Sequence, residues 1–497
     1  MRSVLFRADG SRQIGYGHIM RCLVLARHLQ SRKNRVLFLL NNDPFAITKM
    51  KENSIPYRII DYKAGSMEDL EEMKRVLREY SFPVFIHDSY GIDQDYERQI
   101  RPYTSLIVAF DDQANRKLIA DLLINQNYGF QKDYKNLSSD TKILAGTQYV
   151  LLRDEFKGKR KKSIGKNVRH ILLTMGGSDP TGMTVKIISW LKKFIQDNKL
   201  ILHILVNKNF IDLGKIIKES KKNSNIKIYG NVKNVASLFK GMDLAISAGG
   251  STILELLYMG VPTLVVITAE NQNKSIMNLH LDNYVHCLGW HKDVISENLK
   301  ASLKSILDQY RIRERMFKKG RSLIDGQGIK RIEKMISLNV KSPLIIRRVK
   351  EEDKKILFQW ANETLARRMS FSSDPISWPD HCQWFKKCKG DKNYRIYVLL
   401  DRNREKVGSE RFEIKNREAI IGIAIDPKKR GMGYGALGVT LGAKVLFKER
   451  KEIKHIIALV KKENKASLRT FLKAGFDLDD EGYQYKGHYC YRLVKGR

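Results

Sequence analysis

Three stretches of this chain join glycines to residues that can move protons or hold anions. The first is Asp9-Gly10-Ser11-Arg12-Gln13-Ile14-Gly15-Tyr16-Gly17-His18. It falls between an apolar run and an amphipathic segment, where open α/β sheets bind ligands beyond the carboxyl end of a strand. Gly15 and Gly17 let backbone approach a ligand closely. His18 falls at the start of the helix pattern, where the positive dipole end favours a neutral ring. A neutral imidazole is a competent general base. Spacing alone serves equally well for a glycine-rich turn whose histidine caps or packs.

The second stretch repeats the device. Met175-Gly176-Gly177-Ser178-Asp179-Pro180 follows one strand pattern, and Ser247-Ala248-Gly249-Gly250-Ser251-Thr252 follows another and opens a helix at Ile253–Tyr258. A helix N-terminus flanked by glycines is a ready phosphate site. Glu255, one turn further, is placed to accept hydrogen bonds from ribose hydroxyls. Ala269-Glu270-Asn271-Gln272 follows the next strand and is expected to face the same cleft. Any one of these loops is an ordinary turn; their order is the signal.

In the third, Ile423-Ala424-Ile425-Asp426-Pro427 leads into Lys428-Lys429-Arg430-Gly431-Met432-Gly433-Tyr434-Gly435-Ala436-Leu437-Gly438. Backbone amides in that turn can cradle a pyrophosphate, with charge added by Arg430. Another type of nucleotide turn, or a solvated basic loop, fits the pattern too.

The elements needed to position these loops are legible. Strands are expected at Ser3–Phe6, Arg35–Leu40, Val84–His87 and Ser105–Phe110. A helix over His18–Gln30 has Ile19, Cys22, Leu23, Leu25, Ala26 and Leu29 on one face. Strand and helix in alternation imply a doubly wound parallel sheet. The pattern restarts with strands at His170–Thr174, Ile201–Val206, Leu244–Ser247 and Thr263–Val266. A third unit begins with a strand at Leu344–Val349 and a helix from Glu351–Trp360. Antiparallel strands follow at Tyr394–Leu400, Lys406–Ile414 and Ile420–Asp426. The expected division is 1–160, 161–335 and 344–497, with a connection near 335–343. The fold class is α/β, two Rossmann-like lobes followed by an α+β domain with a mixed, mainly antiparallel sheet.

Bulk properties bound the partners. A chain of 497 residues exceeds one ordinary domain. A net charge of +37, from 91 Lys+Arg against 54 Asp+Glu, attracts anions. Nucleic acid, an anionic membrane and phosphorylated small molecules all fit that charge. No helix-turn-helix, zinc knuckle or RNA-binding octapeptide pattern accompanies it, so nucleic acid is not expected. Cys22, Cys287, Cys382, Cys388 and Cys490 are odd in number and fit no zinc spacing, which points to reduced thiols in a cytoplasmic protein. The first residues run into Arg7 and Asp9, unlike a signal peptide. No apolar run approaches the ~20 residues that span a bilayer. The sequence leaves the oligomeric state open.

Taken together, Ser247–Pro262 and Glu270-Asn271-Gln272 resemble the UDP-binding half of glycosyltransferases with the two-lobed GT-B fold. Ala8-Asp9-Gly10-Ser11, Ile14-Gly15, Gly17-His18 and Arg21-Cys22-Leu23 narrow this. With Asp88-Ser89-Tyr90, Asp111-Asp112 and Asp121-Leu122-Leu123-Ile124-Asn125-Gln126, residues 1–335 resemble the UDP-sugar hydrolases of pseudaminic acid biosynthesis. Those enzymes release 2,4-diacetamido-2,4,6-trideoxy-L-altrose from UDP. The resemblance implies that His18 activates water for inverting attack at the anomeric carbon. It implies that Gly249, Gly250, Ser251, Thr252 and Glu255 hold UDP, that Gly15, Gly17, Tyr90, Asn271 and Gln272 line the substrate site, and that no metal is needed. Asp111-Asp112 is either a catalytic carboxylate pair or, more commonly, a loop-orienting one.

Residues 344–497 resemble the GNAT N-acetyltransferase superfamily through Arg430-x-x-Gly433-x-Gly435, Ala458-Leu459-Val460, Asn464, Ser467, Phe471, Gly475 and Phe476. This implies acetyl-CoA as co-substrate. Arg430, Gly431, Gly433 and Gly435 would meet its pyrophosphate, and Asn464 and Ser467 its pantetheine arm or thiol. Trp378–Phe385 is similar to acetyltransferases acting on nucleotide-linked amino sugars. His381 and Trp384 are then acceptor-site residues, or else part of an aromatic core. Many members have Tyr where this chain has Phe471, so the acid is sought elsewhere, with Ser467 and Tyr483 as candidates. The expected function is acetylation of UDP-4-amino-4,6-dideoxy-β-L-AltNAc followed by hydrolysis of the product. The alternatives are a glycosyltransferase or bacillosamine- or legionaminic-type enzyme joined to an acetyltransferase, and a non-catalytic UDP-sugar sensor or scaffold.

Overall fold

The computed structural model describes residues 3–11, 15–80, 83–131, 133–134, 140–207, 210, 212–230, 232, 234–339, 344–401 and 404–497. Arg12, Gln13 and Ile14 of the first motif, and 340–343 of the expected connection, lie outside them. The chain forms two compact units. The first holds two parallel sheets and the second a mixed one.

In the first sheet, β1 (Ser3–Ala8), β2 (Arg35–Leu40), β3 (Tyr57–Ile59), β4 (Val84–Asp88), β5 (Leu106–Phe110), β6 (Leu122–Asn125) and β7 (Lys142–Ala145) run in the order β3-β2-β1-β4-β5-β6-β7. All neighbours are parallel. The order reverses between β1 and β4, which opens a crevice at their carboxyl ends. The helix Gly17–Ser31 buries the apolar face read from the sequence, Ile19, Cys22, Leu23, Leu25, Ala26 and Leu29.

The second sheet contains β8 (His170–Thr174), β9 (Ile201–Val206), β10 (Ile226–Gly230), β11 (Leu244–Ala248), β12 (Thr263–Ile267) and β13 (His286–Trp290). Its order is β10-β9-β8-β11-β12-β13, with the reversal between β8 and β11. The helix Gly328–Asn339 follows this lobe in sequence but packs on the other one. Its Ile329, Ile332 and Ile336 enter the core built around β1, β2 and β4. Residues 335–339, expected as part of a connection, continue this helix because Ile336 is one of its core contacts.

The second unit contains β14 (Ile345–Arg348), β15 (Tyr394–Leu400), β16 (Lys406–Lys415), β17 (Glu418–Ile425), β18 (His455–Lys461), β19 (Asp477–Tyr485) and β20 (His488–Gly496), in the order β14-β15-β16-β17-β18-β20-β19. Only β17 and β18 pair in parallel. Among the described residues, no helix is long and apolar enough to cross a membrane.

A carboxyl group without a hydrogen-bond partner lies in the core of this unit. Glu410 of β16 is 1% exposed, and neither carboxyl oxygen has a hydrogen-bond partner. The helix Tyr434–Glu449 makes room for it with glycine. A Cβ on Gly442 would lie 1.7 Å from Glu410 Oε2, and one on Gly438 3.0 Å from Oε1. Burial pushes this carboxyl up to about 8. An unfolded glutamate titrates at roughly 4.3. Between those values the folded form holds a proton that the unfolded form has released. Stability of the second unit is therefore expected to fall as pH rises through this window, by up to ~1.4 kcal/mol per pH unit. Glu410→Leu should abolish that slope, measured by hydrogen exchange of the intact chain from pH 5 to 9. Gly442→Ala should destabilise the unit by roughly 1–3 kcal/mol, and Glu410→Ala in the same chain should relieve most of the loss.

Candidate functional site

The crevice of the first sheet is built by three adjacent chain ends. β1 leads into the loop that carries Asp9, β4 ends at Asp88, and the helix Gly17–Ser31 presents His18 in its first turn. His18 and Arg21 are three apart and share a helical face. His18 is 6% exposed and Asp88 1% exposed. The two side chains meet at 2.6 Å, between His18 Nδ1 and Asp88 Oδ1.

Arg21 locks this pair. Its Nε donates to Asp88 Oδ2 at 2.5 Å and its Nη2 to Oδ1 at 2.7 Å. Nη1 and Nη2 also donate to Asp112 Oδ1 and Oδ2, at 2.7 and 2.9 Å. Burial alone would raise the Asp88 carboxyl, but the Arg21 guanidinium and the His18 ring outweigh it and hold it well below the usual carboxylate range. Burial likewise opposes ionisation of Asp112, and Arg21 reverses the balance.

This fixes the histidine tautomer. An ionised carboxylate only accepts hydrogen bonds. A contact of 2.6 Å therefore requires hydrogen on His18 Nδ1, leaving the Nε2 lone pair to accept a proton. Arg21 Nη2, 3.1 Å from Nδ1, is then a close charge and not a hydrogen-bond donor to the ring. The spacing of residues discloses the helix start at His18 but not this ion cluster.

Tyr90 packs edge-on against His18 with ring centroids 4.9 Å apart. Its hydroxyl accepts from Asn271 Nδ2 at 2.9 Å and lies 3.4 Å from Asp112 Oδ2. Burial and Asp112 push that hydroxyl above its ordinary range. The carboxylates of Asp111-Asp112 divide between two tasks. Asp112 faces the cluster, whereas Asp111 accepts from Ala114 N and Arg116 and orients its loop. Behind the site, buried Arg7 bonds Asp69, Asp9 and Asn41, tying the Asp9 loop to the sheet.

The second lobe brings its loops to the same place. A Cβ on Gly17 would lie 3.9 Å from Ser251 Oγ. Gly15 pairs with Ser11 across the loop tip. Gly249 permits close packing, since a Cβ there would meet Ile276 Cγ1 at 2.8 Å and Gln272 Oε1 at 2.9 Å. Gly250 faces open space, and Thr252 begins the helix Thr252–Met259. Two expectations change in detail. Glu255 does not stand free for a ribose, because Arg153 grips both its oxygens at 2.7 and 2.8 Å. Gln272 Oε1 accepts from Thr268 N at 2.9 Å, folding back onto the turn that precedes it.

In the second unit, β17 and β18 pair only from Glu418–Ile421 against His455–Ala458. Beyond that point β17 runs to Ile425 and β18 to Lys461 without pairing to each other, leaving a wedge between strands. The turn after β17 holds Gly431 and Gly433 at φ +79°, and Gly433 caps the helix Tyr434–Glu449. Gly435 lies in its first turn against Thr470. Arg430 Nη2 is paired with Glu363 at 2.6 Å. Asn464 caps the helix Lys465–Lys473 by accepting from Ser467 N at 3.0 Å.

The structure corrects the acceptor-site expectation for His381. It is 2% exposed and packs among Phe358, Trp378, Trp384 and Phe385. Its Nε2 donates to Lys354 O at 3.0 Å. This is the aromatic-core arrangement, and Trp384 belongs to it. Phe471 is also core, stacked edge-on with Phe476 at 5.2 Å. Among the described residues no group of His, Cys, Asp or Glu is arranged to hold a metal ion.

Residues 171–325 match the glycosyltransferase family 28 C-terminal domain, and residues 343–477 match the acetyltransferase (GNAT) domain. The chain is 30% identical over 275 residues to the UDP-2,4-diacetamido-2,4,6-trideoxy-β-L-altropyranose hydrolase of Campylobacter jejuni, covering 55% of this chain and 94% of that one. An uncharacterized Methanocaldococcus jannaschii protein is 26% identical over 418 residues, 81% of each chain. The fold of Acinetobacter baumannii MurG overlays 68% of this chain and all of its own, with TM-score 0.51 and 14% identity.

The tautomer is directly measurable. In ¹⁵N-histidine spectra of the intact chain, His18 is expected to show a protonated Nδ1 and a bare Nε2 while neutral. Asp88→Asn should weaken that preference. A neutral ring carrying hydrogen on Nε2 in the unmodified chain would contradict the Asp88 assignment.

Proposed function

The chain belongs to the UDP-2,4-diacetamido-2,4,6-trideoxy-β-L-altropyranose hydrolase family and joins to it a GNAT acetyltransferase domain; on that premise we propose that it N-acetylates a UDP-linked 4-amino sugar and then hydrolyses the product to free sugar and UDP. The substrate we infer is UDP-4-amino-4,6-dideoxy-β-L-AltNAc, and the released sugar is 2,4-diacetamido-2,4,6-trideoxy-L-altrose. The observation that carries the hydrolytic half is the His18–Asp88 contact, 2.6 Å long and buried at the reversal point of the first sheet.

In this reading water bound at His18 Nε2 gives up a proton to the ring as its oxygen attacks the anomeric carbon. The bond from that carbon to the diphosphate oxygen breaks, UDP leaves with the electron pair, and configuration inverts. Asp88 keeps the ring oriented and stabilises the imidazolium. The N-terminus of Thr252–Met259, with Gly249, Gly250 and Ser251 before it, receives the charge that grows on the diphosphate. Tyr90 and Asn271, joined across the lobes, border the sugar. Arg153 holds Glu255 at the nucleotide side.

For acetyl transfer, acetyl-CoA enters the wedge between β17 and β18, with its pyrophosphate at Gly431–Gly435 and Arg430. Asn464 and Ser467 lie three and six residues beyond the end of β18, toward the pantetheine arm. The neutral sugar amine attacks the thioester carbon, the C–S bond breaks, the nitrogen sheds a proton to solvent as the amide forms, and the thiolate collects one. Phe471 has none to give. Ser467 is the nearer candidate, since Tyr483 lies on the outermost strand β19.

Incubation with UDP-4-amino-4,6-dideoxy-β-L-AltNAc and acetyl-CoA is expected to yield CoA, UDP and free diacetamido sugar. His18→Ala should lower UDP release by about 10³-fold or more while acetylated UDP-sugar still accumulates. Gly433→Val should do the reverse, abolishing acetylation and sparing hydrolysis of UDP-2,4-diacetamido-2,4,6-trideoxy-β-L-altropyranose. Acetylation with no UDP release by the unmodified chain would overturn the hydrolytic reading, and binding without turnover would indicate a sensor.

A further inference from the structure

The buried cluster around His18 has an uneven charge. Asp88 and Asp112 are both ionised, and both are bonded to the single guanidinium of Arg21. Two negative charges against one positive leave one negative charge in a buried site. Among the described residues, the surrounding groups leave that charge unbalanced. Tyr90 and Cys22 are pushed upward by burial and stay neutral. Arg7 is paired with Asp9 and Asp69, and Arg116 with Asp111. From the second lobe, the neutral Asn271 reaches Tyr90 and the neutral Ser251 lies near Gly17. Among the described residues, His18 is the remaining side chain touching Asp88 that can become positive.

We propose that Arg21 and Asp112 are positioning residues that set how readily His18 takes a proton, acting from opposite directions. Asp112 makes the cluster one charge too negative, so a proton arriving on Nε2 brings it to neutrality. Arg21, with Nη2 3.1 Å from His18 Nδ1, opposes that proton and keeps the ring from being charged before water is bound. One carboxylate alone would balance Arg21 and give the imidazolium no net stabilisation. Two carboxylates without Arg21 would favour the charged ring and weaken the base. Asp112 and Arg21 thus set opposing charges beside His18, and a single substitution removes either one.

This rests on His18 acting as the base of the proposed hydrolysis, and the test separates the two ideas. The readouts are the acidic limb of the kcat/KM profile for UDP release and, without turnover, the ¹⁵N-histidine titration of His18 in the intact chain. Asp112→Asn removes a negative charge, so both midpoints are expected to move down by about one pH unit. Arg21→Gln removes the positive charge, so both should move up by a similar amount. Arg21→Lys keeps the charge and should leave them within a few tenths of a unit. Loss of packing would move the two charge variants alike, so opposite signs identify electrostatics. If both variants shift in one direction, or only the rate falls while the midpoints stay, the proposal is wrong. If Arg21→Gln does not fold, a downward shift in Asp112→Asn supports the proposal and an unmoved or upward one refutes it. A chain that hydrolyses nothing, yet shows the opposite NMR shifts, would defeat the hydrolase reading and leave this one standing.

Discussion

The buried cluster at the crevice of the first sheet is organised by one guanidinium. Arg21 bonds the carboxylate ending β4 and the carboxylate following β5, and it rises from the same helical face as His18. Three segments distant in sequence are thereby fixed at the crevice between β1 and β4. Burying two carboxylates and a guanidinium is costly unless nearly every polar atom is satisfied. That requirement makes the geometry narrow: a displaced helix or a shifted strand end would strand a buried charge. The Arg7–Asp69 pair does the same for the loop ahead of His18, with Tyr96 completing Asp69 at 2.8 Å. The rigidity comes from ions and not from the loop, whose glycines offer none.

The second unit solves a different problem. In its sheet β17 and β18 pair for four residues and then separate, and the proposed acetyl transfer uses that opening for a long, flexible co-substrate. The turn that follows holds left-handed backbone at Gly431 and Gly433, which glycine adopts without strain, at the start of a helix. The proposed substrates of both units carry diphosphates, and a net charge of +37 suits a chain that must collect two of them.

Much of this is legible in the sequence, for physical reasons that also mark where legibility ends. Central parallel strands are buried on both faces and read as apolar runs, so the expected strands Arg35–Leu40, His170–Thr174 and Ile201–Val206 match the observed ones to the residue. Glycine-rich loops before helices disclose His18 and the Gly249–Thr252 turn. Strands β6 and β7 are four residues each, too short for a period, and β13 carries a bulge at its glycine. β19 is exposed along almost its whole length and shows no apolar face at all. Spacing also does not reveal long-range ion pairs. Arg21 is visible as part of a motif, but not as the tie between Asp88 and Asp112. Nor does spacing show that Ile329, Ile332 and Ile336 return to the first lobe's core, or that His381 is spent on packing.

In the proposed hydrolysis, water activated at His18 attacks the sugar carbon and not the phosphorus. Reaction of UDP-2,4-diacetamido-2,4,6-trideoxy-β-L-altropyranose in H₂¹⁸O tests this most directly. Attack at carbon predicts UDP free of label, with ¹⁸O on the anomeric carbon of the sugar and inverted configuration in the first product observed. Label in the UDP phosphate would mean that the P–O bond breaks, and would contradict the roles of His18 as base and of the helix Thr252–Met259 as receiver of the leaving diphosphate.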